Sequence, residues 1–517
     1  MLSWGRTVIE GLFGLLLCIP VYLVVKFSRL HKRWAKHGIV GHDTNLLVHA
    51  WFRRNHLSYS TIDTIYKRFI NEKCVGLHQG LKPVLMAINT KLIGSIYENV
   101  GVKFSKITHN DSNRLRLVLE RDEPCTEELE KGPVHKNEDP EIEPSVPSLL
   151  NGENSEVIYQ TTFHCSNELR MSLEARAHEN RIIDIVEEIE RLKLDLIGVT
   201  FFGLSFGRIR QPKFRFKENV SKLSTPVSLM DRIMGAIGKD TGSARRNAEM
   251  LDYFVKLYYD CLNGPASTFS PRSSHKTFPA LVHSDDLLSV PGSLTTEEIV
   301  NSIMLFIQEH MERIHSALTF ALYEVSVNPE VQLNIIEEIN RTMKHTDDDK
   351  IPLEHLHSMK YLDQVVLETL RKYPVSGLMS TRCTESYKTD QLEIEEGMDV
   401  LLPILSIHHD PHHYPRPDSF DPQRFTACSL NDVSQVPLMA QQIQDIGGNY
   451  GVTILKLTLA LLVRDYRLQR CRQTPESPVS MNQQTSICLK PVSCIPVQIS
   501  SRSPEKGFFP HIVNRSG

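Results

Sequence analysis

Residues 361–374 read YLDQVVLETLRKYP and residues 406–425 read SIHHDPHHYPRPDSFDPQRF. Glu368 and Arg371 stand three apart, so on a helix their carboxylate and guanidinium share one face and bond each other. The planar fork of an arginine side chain can hold a second partner at the same time. Taken alone, such a pair is an ordinary solvated contact worth ~0.2–0.5 kcal/mol on any helix. The run Lys372–Tyr373–Pro374 follows directly, and then come IHHDP and FDPQRF, the latter carrying Arg424.

Outward from that stretch the pattern is mostly helical. Long helical runs cover IIDIVEEIERLKLDLIGVTFF, MLDYFVKLYYDCL and the unbroken stretch from Thr295 to Lys344. Thr295–Thr296–Glu297–Glu298 reads as a helix start with acids in its first turn. Asn328–Pro329–Glu330 marks a break and a second start. LKPVLMAINTKLIGSIYENV predicts a strand followed by a helix, and DVLLPILSI predicts a strand over 399–407. A last helix is expected from about Tyr450 to Arg464. The stretch 122–156 is acidic, Pro-rich and nearly without aromatic residues, which predicts a disordered insert. The fold class is therefore mainly α with a smaller β portion.

The 517 residues and 41% hydrophobic content suffice for a large core. A net charge of -4 gives no case for a nucleic-acid partner. Ten cysteines without a CxxC pair suit reduced thiols in the cytosol. Thr7 to Val25 is about as long and apolar as a helix that crosses a bilayer. Lys26, Arg29, Lys32, Arg33 and Lys36 follow at once, so the positive-inside rule places the body of the chain on the cytosolic side. On that topology the sequons at Asn219 and Asn514 escape glycosylation.

The ExxR helix, IHHDP and FDPQRF at their spacing resemble the cytochrome P450 family, in the manner of an insect microsomal branch. ERLKLDLIGVTFFGLSFG, and LTTEEI through NPEVQ, extend the resemblance over nearly the whole chain. It implies a P450-like fold behind an N-terminal anchor: residues 1–30 as signal anchor and basic flank, 31–500 as the P450-like domain, 501–517 as a tail. It further implies haem as cofactor, an electron-donating P450 reductase, and small lipophilic ligands, hormone-like or foreign, oxidised at the endoplasmic reticulum membrane. Glu368, Arg371 and Arg424 would form the family's structural network beside the haem. His408, His409, His412 and His413, spaced HHDPHH on a turn, could chelate a metal, whereas relatives carry IHHDP as packing and capping residues.

The residues that touch haem in relatives have changed. The family's ligand loop resembles Phe-Gly-x-Gly-x-Arg-x-Cys-x-Gly. Aligning the final helix through Tyr450–Gly451 puts Asp445 at the cysteine, with Leu438, Met439, Gln441 and Ile443 at the Phe, Gly, Gly and Arg positions. Asp445 then reads either as a surface or helix-start acid or as an oxygen ligand, and a hard carboxylate cannot supply the electron push of a thiolate. Anchoring the oxygen-activation helix on FALYE (320–324) keeps an acid at Glu312. His310 then replaces a glycine, and Arg313 stands at the threonine, where a permanently charged guanidinium cannot relay protons. Arg382 lies close to a propionate-binding arginine, although alignment through Cys383–Thr384 puts Thr381 there. The family's Trp-x-x-x-Arg is absent, and Gly38–Ile39–Val40–Gly41–His42 stands where relatives carry a Pro-Gly-Pro hinge. Three readings remain open: a haem monooxygenase, a non-catalytic ligand- or partner-binding member (a pseudoenzyme), and an eroding copy.

Overall fold

The computed structural model describes residues 34, 39–45, 58–79, 82–106, 155–204, 214–223, 242–263, 295–344, 350–389, 392–428, 430, 437–482 and 488–502. The N-terminal anchor, nearly all of the acidic insert, the tail beyond 502 and most of the 205–290 region lie outside the described residues. The elements run in the order β1 (Val40–Asn45), α1 (Tyr59–Arg68), β2 (Cys74–Gln79), β3 (Lys82–Ala87), α2 (Thr90–Glu98), β4 (Phe104–Lys106), α3 (Ser155–His178), β5 (Ile182–Asp184) and α4 (Ile185–Phe202). Next come α5 (Phe214–Leu223), α6 (Gly242–Asn263), α7 (Thr296–Phe306), a π-turn (Ile307–Met311), α8 (Glu312–Val327), α9 (Pro329–Thr342), α10 (Leu353–Ser358) and α11 (Lys360–Lys372). The order closes with β6 (Met379–Cys383), β7 (Tyr387–Thr389), β8 (Leu392–Ile394), β9 (Asp399–Leu402), α12 (Ile404–His408), a 3-10 turn (Pro422–Phe425), α13 (Pro437–Asp445), α14 (Asn449–Asp465), β10 (Tyr466–Arg470) and β11 (Pro496–Ser501).

These elements form two compact units. The first comprises Met1–His109, Ser376–Pro417 and Asn482–Leu489. It holds a six-stranded sheet in the order β1-β2-β3-β9-β6-β4. The residues 40–42, read as a substitute for a hinge, belong to its edge strand β1, which pairs parallel to β2. Trp34 is buried there, and a Cβ on Gly76 would fall 2.2 Å from its ring, so only glycine lets the indole lie flat on β2. The strand expected over 399–407 stops at Leu402, and α12 begins at Ile404. Pro403 between them lacks the N–H that a continuing sheet ladder would need.

The second unit comprises Asn110–Val375, Asp418–Met481 and Lys490–Gly517, and its described part is helical apart from a three-stranded sheet, β10-β11-β5. The central helix starts with a capping box: Thr295 Oγ1 accepts the Glu298 N–H, and the Glu298 carboxylate accepts the Thr295 N–H at 2.7 Å. It ends at Val327, and Pro329 opens α9 at a position that needs no N–H. The helix α14 is buried along almost its whole length against α3 and α8, which matches its run of leucines. These two buried helices, with α11, position the side chains considered next.

Candidate functional site

At the end of α11 the Glu368–Arg371 pair is fully enclosed, both side chains being 0% exposed. Arg371 Nε donates to Glu368 Oε2 at 2.7 Å and Nη2 donates to Oε1 at 2.9 Å. Glu368 Oε1 also accepts the Asp421 N–H at 2.9 Å and lies 3.4 Å from Arg424 Nε. The structure thus brings Glu368, Arg371 and Arg424 together, and the simple solvated pair is ruled out by burial. Next to it a second buried group forms. Glu324 accepts from Lys372 Nζ at 2.8 Å and from the Tyr373 hydroxyl at 2.6 Å, while Phe320 stacks on Tyr373 with ring centres 4.2 Å apart.

The middle of the central helix departs from α geometry. Ile307–Met311 form a π-turn, in which one extra residue shifts the faces presented before and after it. Arg313 Nη1 donates back to the Glu309 carbonyl at 2.5 Å. His310 Nδ1 lies 2.9 Å from the Asp445 carbonyl oxygen, with its ring 4.7 Å from that of Phe306. Burial holds the imidazole below its ordinary pKa, the Asp445 carbonyl opposing this and Arg313 adding to it. Glu312 Oε1 accepts from Lys193 Nζ at 2.6 Å, and its Oε2 accepts from Lys490 Nζ. Burial opposes the charge on Glu312, but the two ammonium groups outweigh it and keep the carboxyl below the usual carboxylate range.

The segment aligned with the ligand loop is not a loop. Pro437–Asp445 form α13, which buries Leu438, Met439, Gln441 and Gln442. Asp445, expected on the surface, at a helix start or as an oxygen ligand, is the buried last residue of that helix. One turn earlier Gln441 faces the same way, and its Nε2 donates to Asp445 Oδ1 at 2.7 Å. Met439, Ala440, Gln441 and Gln442 are good helix formers, a signal that the motif alignment overrode. Gly447 and Gly448 then take φ of +86° and +61°, which glycine adopts without strain, and α14 leaves α13 at an angle of 81°.

The junction and the central helix touch directly. A Cβ on Gly447 would lie 3.4 Å from Phe306 Cζ and 3.5 Å from His310 Cγ. The Phe306 ring packs on Tyr450 and on Phe201 at 5.5 and 5.7 Å between centres. Gly451 is packed so closely that a Cβ would fall 2.0 Å from the Ile446 carbonyl oxygen. No cysteine stands between 437 and 452. The donors that meet here are a carboxylate already bonded to Gln441, a backbone carbonyl taken by His310, and aromatic rings.

In the first unit, Arg382 projects from β6 on the side opposite to the buried Met379, Thr381 and Cys383. Its Nε donates to Asp399 Oδ1 at 2.7 Å, and Lys82 binds the other oxygen at 3.0 Å. Of the four histidines, His408 packs edge-on to Tyr414 and His412 Nδ1 lies 2.9 Å from Asp410 Oδ1. Among the described residues no group of three or more His, Cys, Asp or Glu side chains could hold a metal ion. Sequence reasoning missed the π-turn, and it missed the lysine partners of Glu312, which lie 119 and 178 residues away; it missed α13 although its helix signal was local.

A family model described as Cytochrome P450 matches residues 46–494. Similar curated proteins include cytochrome P450 6j1 of Blattella germanica, 23% identical over 495 residues that cover 92% of this chain and 94% of the relative. Cytochrome P450 6A1 of Musca domestica is 25% identical over 488 residues, 87% of this chain and 90% of the relative. Cytochrome P450 3A13 of Mus musculus is 31% identical over 345 residues, 60% of this chain and 63% of the relative.

Proposed function

Because the chain belongs to the cytochrome P450 family, in its insect-type branch, we propose that it is a member that keeps the scaffold without haem-thiolate monooxygenase chemistry. Members of this family bind haem, and monooxygenation there requires a thiolate on the iron and free space on its distal side. The residues at the junction do not fit that group. The observation that carries the reading is the direct seating of the central helix on the α13–α14 junction, through His310 on the Asp445 carbonyl and Gly447 on Phe306. Asp445 points its carboxylate at Gln441, and Arg313 at the threonine position can neither accept nor pass a proton. We place the body at the cytosolic face of the endoplasmic reticulum membrane on the strength of Thr7–Val25 and the basic flank after it. Among the described residues no single helix is long and apolar enough to cross a membrane.

The test is the haem content and reduced carbon-monoxide spectrum of the full chain, purified from haem-supplemented cells, beside Asp445→Cys. Substoichiometric haem and no thiolate-type band are expected in both proteins, since a single cysteine does not unwind α13. Stoichiometric haem with that band in the wild-type chain would restore the monooxygenase reading. A thermal melt on the same samples separates the remaining alternatives. A cooperative transition supports a retained scaffold, and a broad, protease-sensitive unfolding identifies an eroding copy.

A further inference from the structure

We propose that Glu312 is an ion latch, fastening α4 and the C-terminal segment 490–502 to the middle of the central helix through Lys193 and Lys490, instead of a group that moves protons. Both carboxylate oxygens are already taken, Oε1 by Lys193 Nζ at 2.6 Å and Oε2 by Lys490 Nζ. A carboxylate bonded to two ammonium groups has no proton to give and is a poor acceptor for one. Lys193 is 5% exposed and also binds Glu190 Oε2 at 2.7 Å. His315 completes the group, with Nε2 3.2 Å from the Val186 carbonyl and 3.7 Å from Glu190, and burial keeps its imidazole below the ordinary pKa. Two ammonium groups therefore face two carboxylates beside a neutral histidine, and the cluster balances its own charge.

The latch joins segments that the sequence separates widely. Lys193 lies on α4, Glu312 opens α8 straight after the π-turn, and Lys490 stands near the start of the last described segment, 488–502. Farther along, the main chain of that segment is held by hydrogen bonds to the Asp184 side chain and to neighbouring backbone. The Ile495 N–H donates to Asp184 Oδ1 at 2.9 Å, the Ile185 N–H donates to the Ile495 carbonyl at 3.1 Å, and β11 pairs with β10 and β5. Between the two attachments the Val492 side chain is 67% exposed, while its N–H donates to the Ser480 carbonyl at 3.0 Å and Pro491 bridges Met481, so Lys490 adds the ionic fastening at the start of this stretch. Removing the charge of Glu312 leaves the buried Lys193 with Glu190 alone, and an under-compensated buried charge is the expensive way to break such a group.

Hydrogen exchange measured by mass spectrometry on the full chain tests the proposal, with Glu312→Gln keeping the shape and removing the charge. Exchange at residues 490–495 and in the first turns of α4 should rise on the order of tenfold, and α14 should be unchanged. Lys490→Met should loosen the segment alone, and Glu312→Gln with Lys490→Met should loosen it no more than Glu312→Gln does. Unchanged exchange in Glu312→Gln, or strictly additive effects in the double variant, would overturn the latch. Should Glu312→Gln fail to fold, Lys490→Met carries the test, because Lys490 is one-third exposed. Segment exchange equal to wild type in that variant would refute the proposal.

Discussion

The corner around Glu368 and the junction around Asp445 lie in one unit, on helices that pack against each other, yet their residues are bonded in different ways. At the corner every member answers to another member: Glu368 to Arg371, to Arg424 and to the Asp421 N–H. Changing one strands a buried charge, so such a set stays or goes as a whole. A ligand loop answers to a group outside the chain. On the proposed reading, once that demand is gone its residues drift toward what the local chain prefers, here a helix with its apolar side turned inward. On that reading, residues that stabilise one another outlast residues that serve a cofactor, and fold and ancestry remain legible where activity is not.

The largest effect should come from attacking the corner. Glu368→Ala or Arg371→Ala is expected to cost ~3–5 kcal/mol, read from denaturant midpoints, because each strands the other's buried charge. Replacing both by hydrophobic residues, as in Glu368→Leu with Arg371→Met, should cost clearly less than either alanine variant. A double variant as unstable as the two singles summed would mean that the pair is not a unit, and the contrast with the junction would fail.

At the junction, Gly447→Ala should lower stability by ~1–2 kcal/mol, since an L-residue at φ +86° is strained and its methyl would meet Phe306. A thermal melt measures it. No loss would mean that the junction is loose, leaving room between the two helices after all. The same contact has a pH signature. His310 and His315 are both held below the ordinary histidine pKa, by burial first. The unfolded chain therefore binds more protons as pH falls below ~6.5. Stability contributed by the neutral rings is whole above that value and declines as pH drops towards the depressed folded pKa values, by up to ~1.4 kcal/mol per pH unit for each ring. His310→Asn, which keeps a donor for the Asp445 carbonyl, should flatten part of that slope between pH 7 and pH 5.

How far the sequence could be read follows from the range of each interaction. The Thr295 capping box, the Asn328–Pro329 break and the Glu368–Arg371 pair are written within four residues of one another, and each has a local physical cause. The long-range partners of Glu312 are 119 and 178 residues away, and no periodicity encodes them. Asp445 misled for another reason. Alignment to a motif presumed the motif's backbone, whereas the helical preference of Met439–Gln442 was local and readable. Pro403 was a readable stop that the apolar run DVLLPILSI concealed.

The smallest effect, and the most informative about reading a strand, belongs to Arg382. Its pair with Asp399 has good geometry at 2.7 Å, but the guanidinium is 46% exposed and Lys82 already serves the same carboxylate. Exposed pairs of this kind contribute ~0–1 kcal/mol, and a second cation beside Asp399 takes up part of the loss. Arg382→Ala should thus shift the denaturation midpoint barely, and less in high salt, where the pair is screened. Thr381→Ala, one residue away on the buried face of β6, loses a hydroxyl that reaches the Val400 carbonyl at 3.5 Å and packing on an enclosed surface. It should cost more than Arg382→Ala although it removes less. If the order were reversed, the face assignment of β6 would be wrong by one residue, and Arg382 would regain the inward orientation that a cofactor-binding role requires.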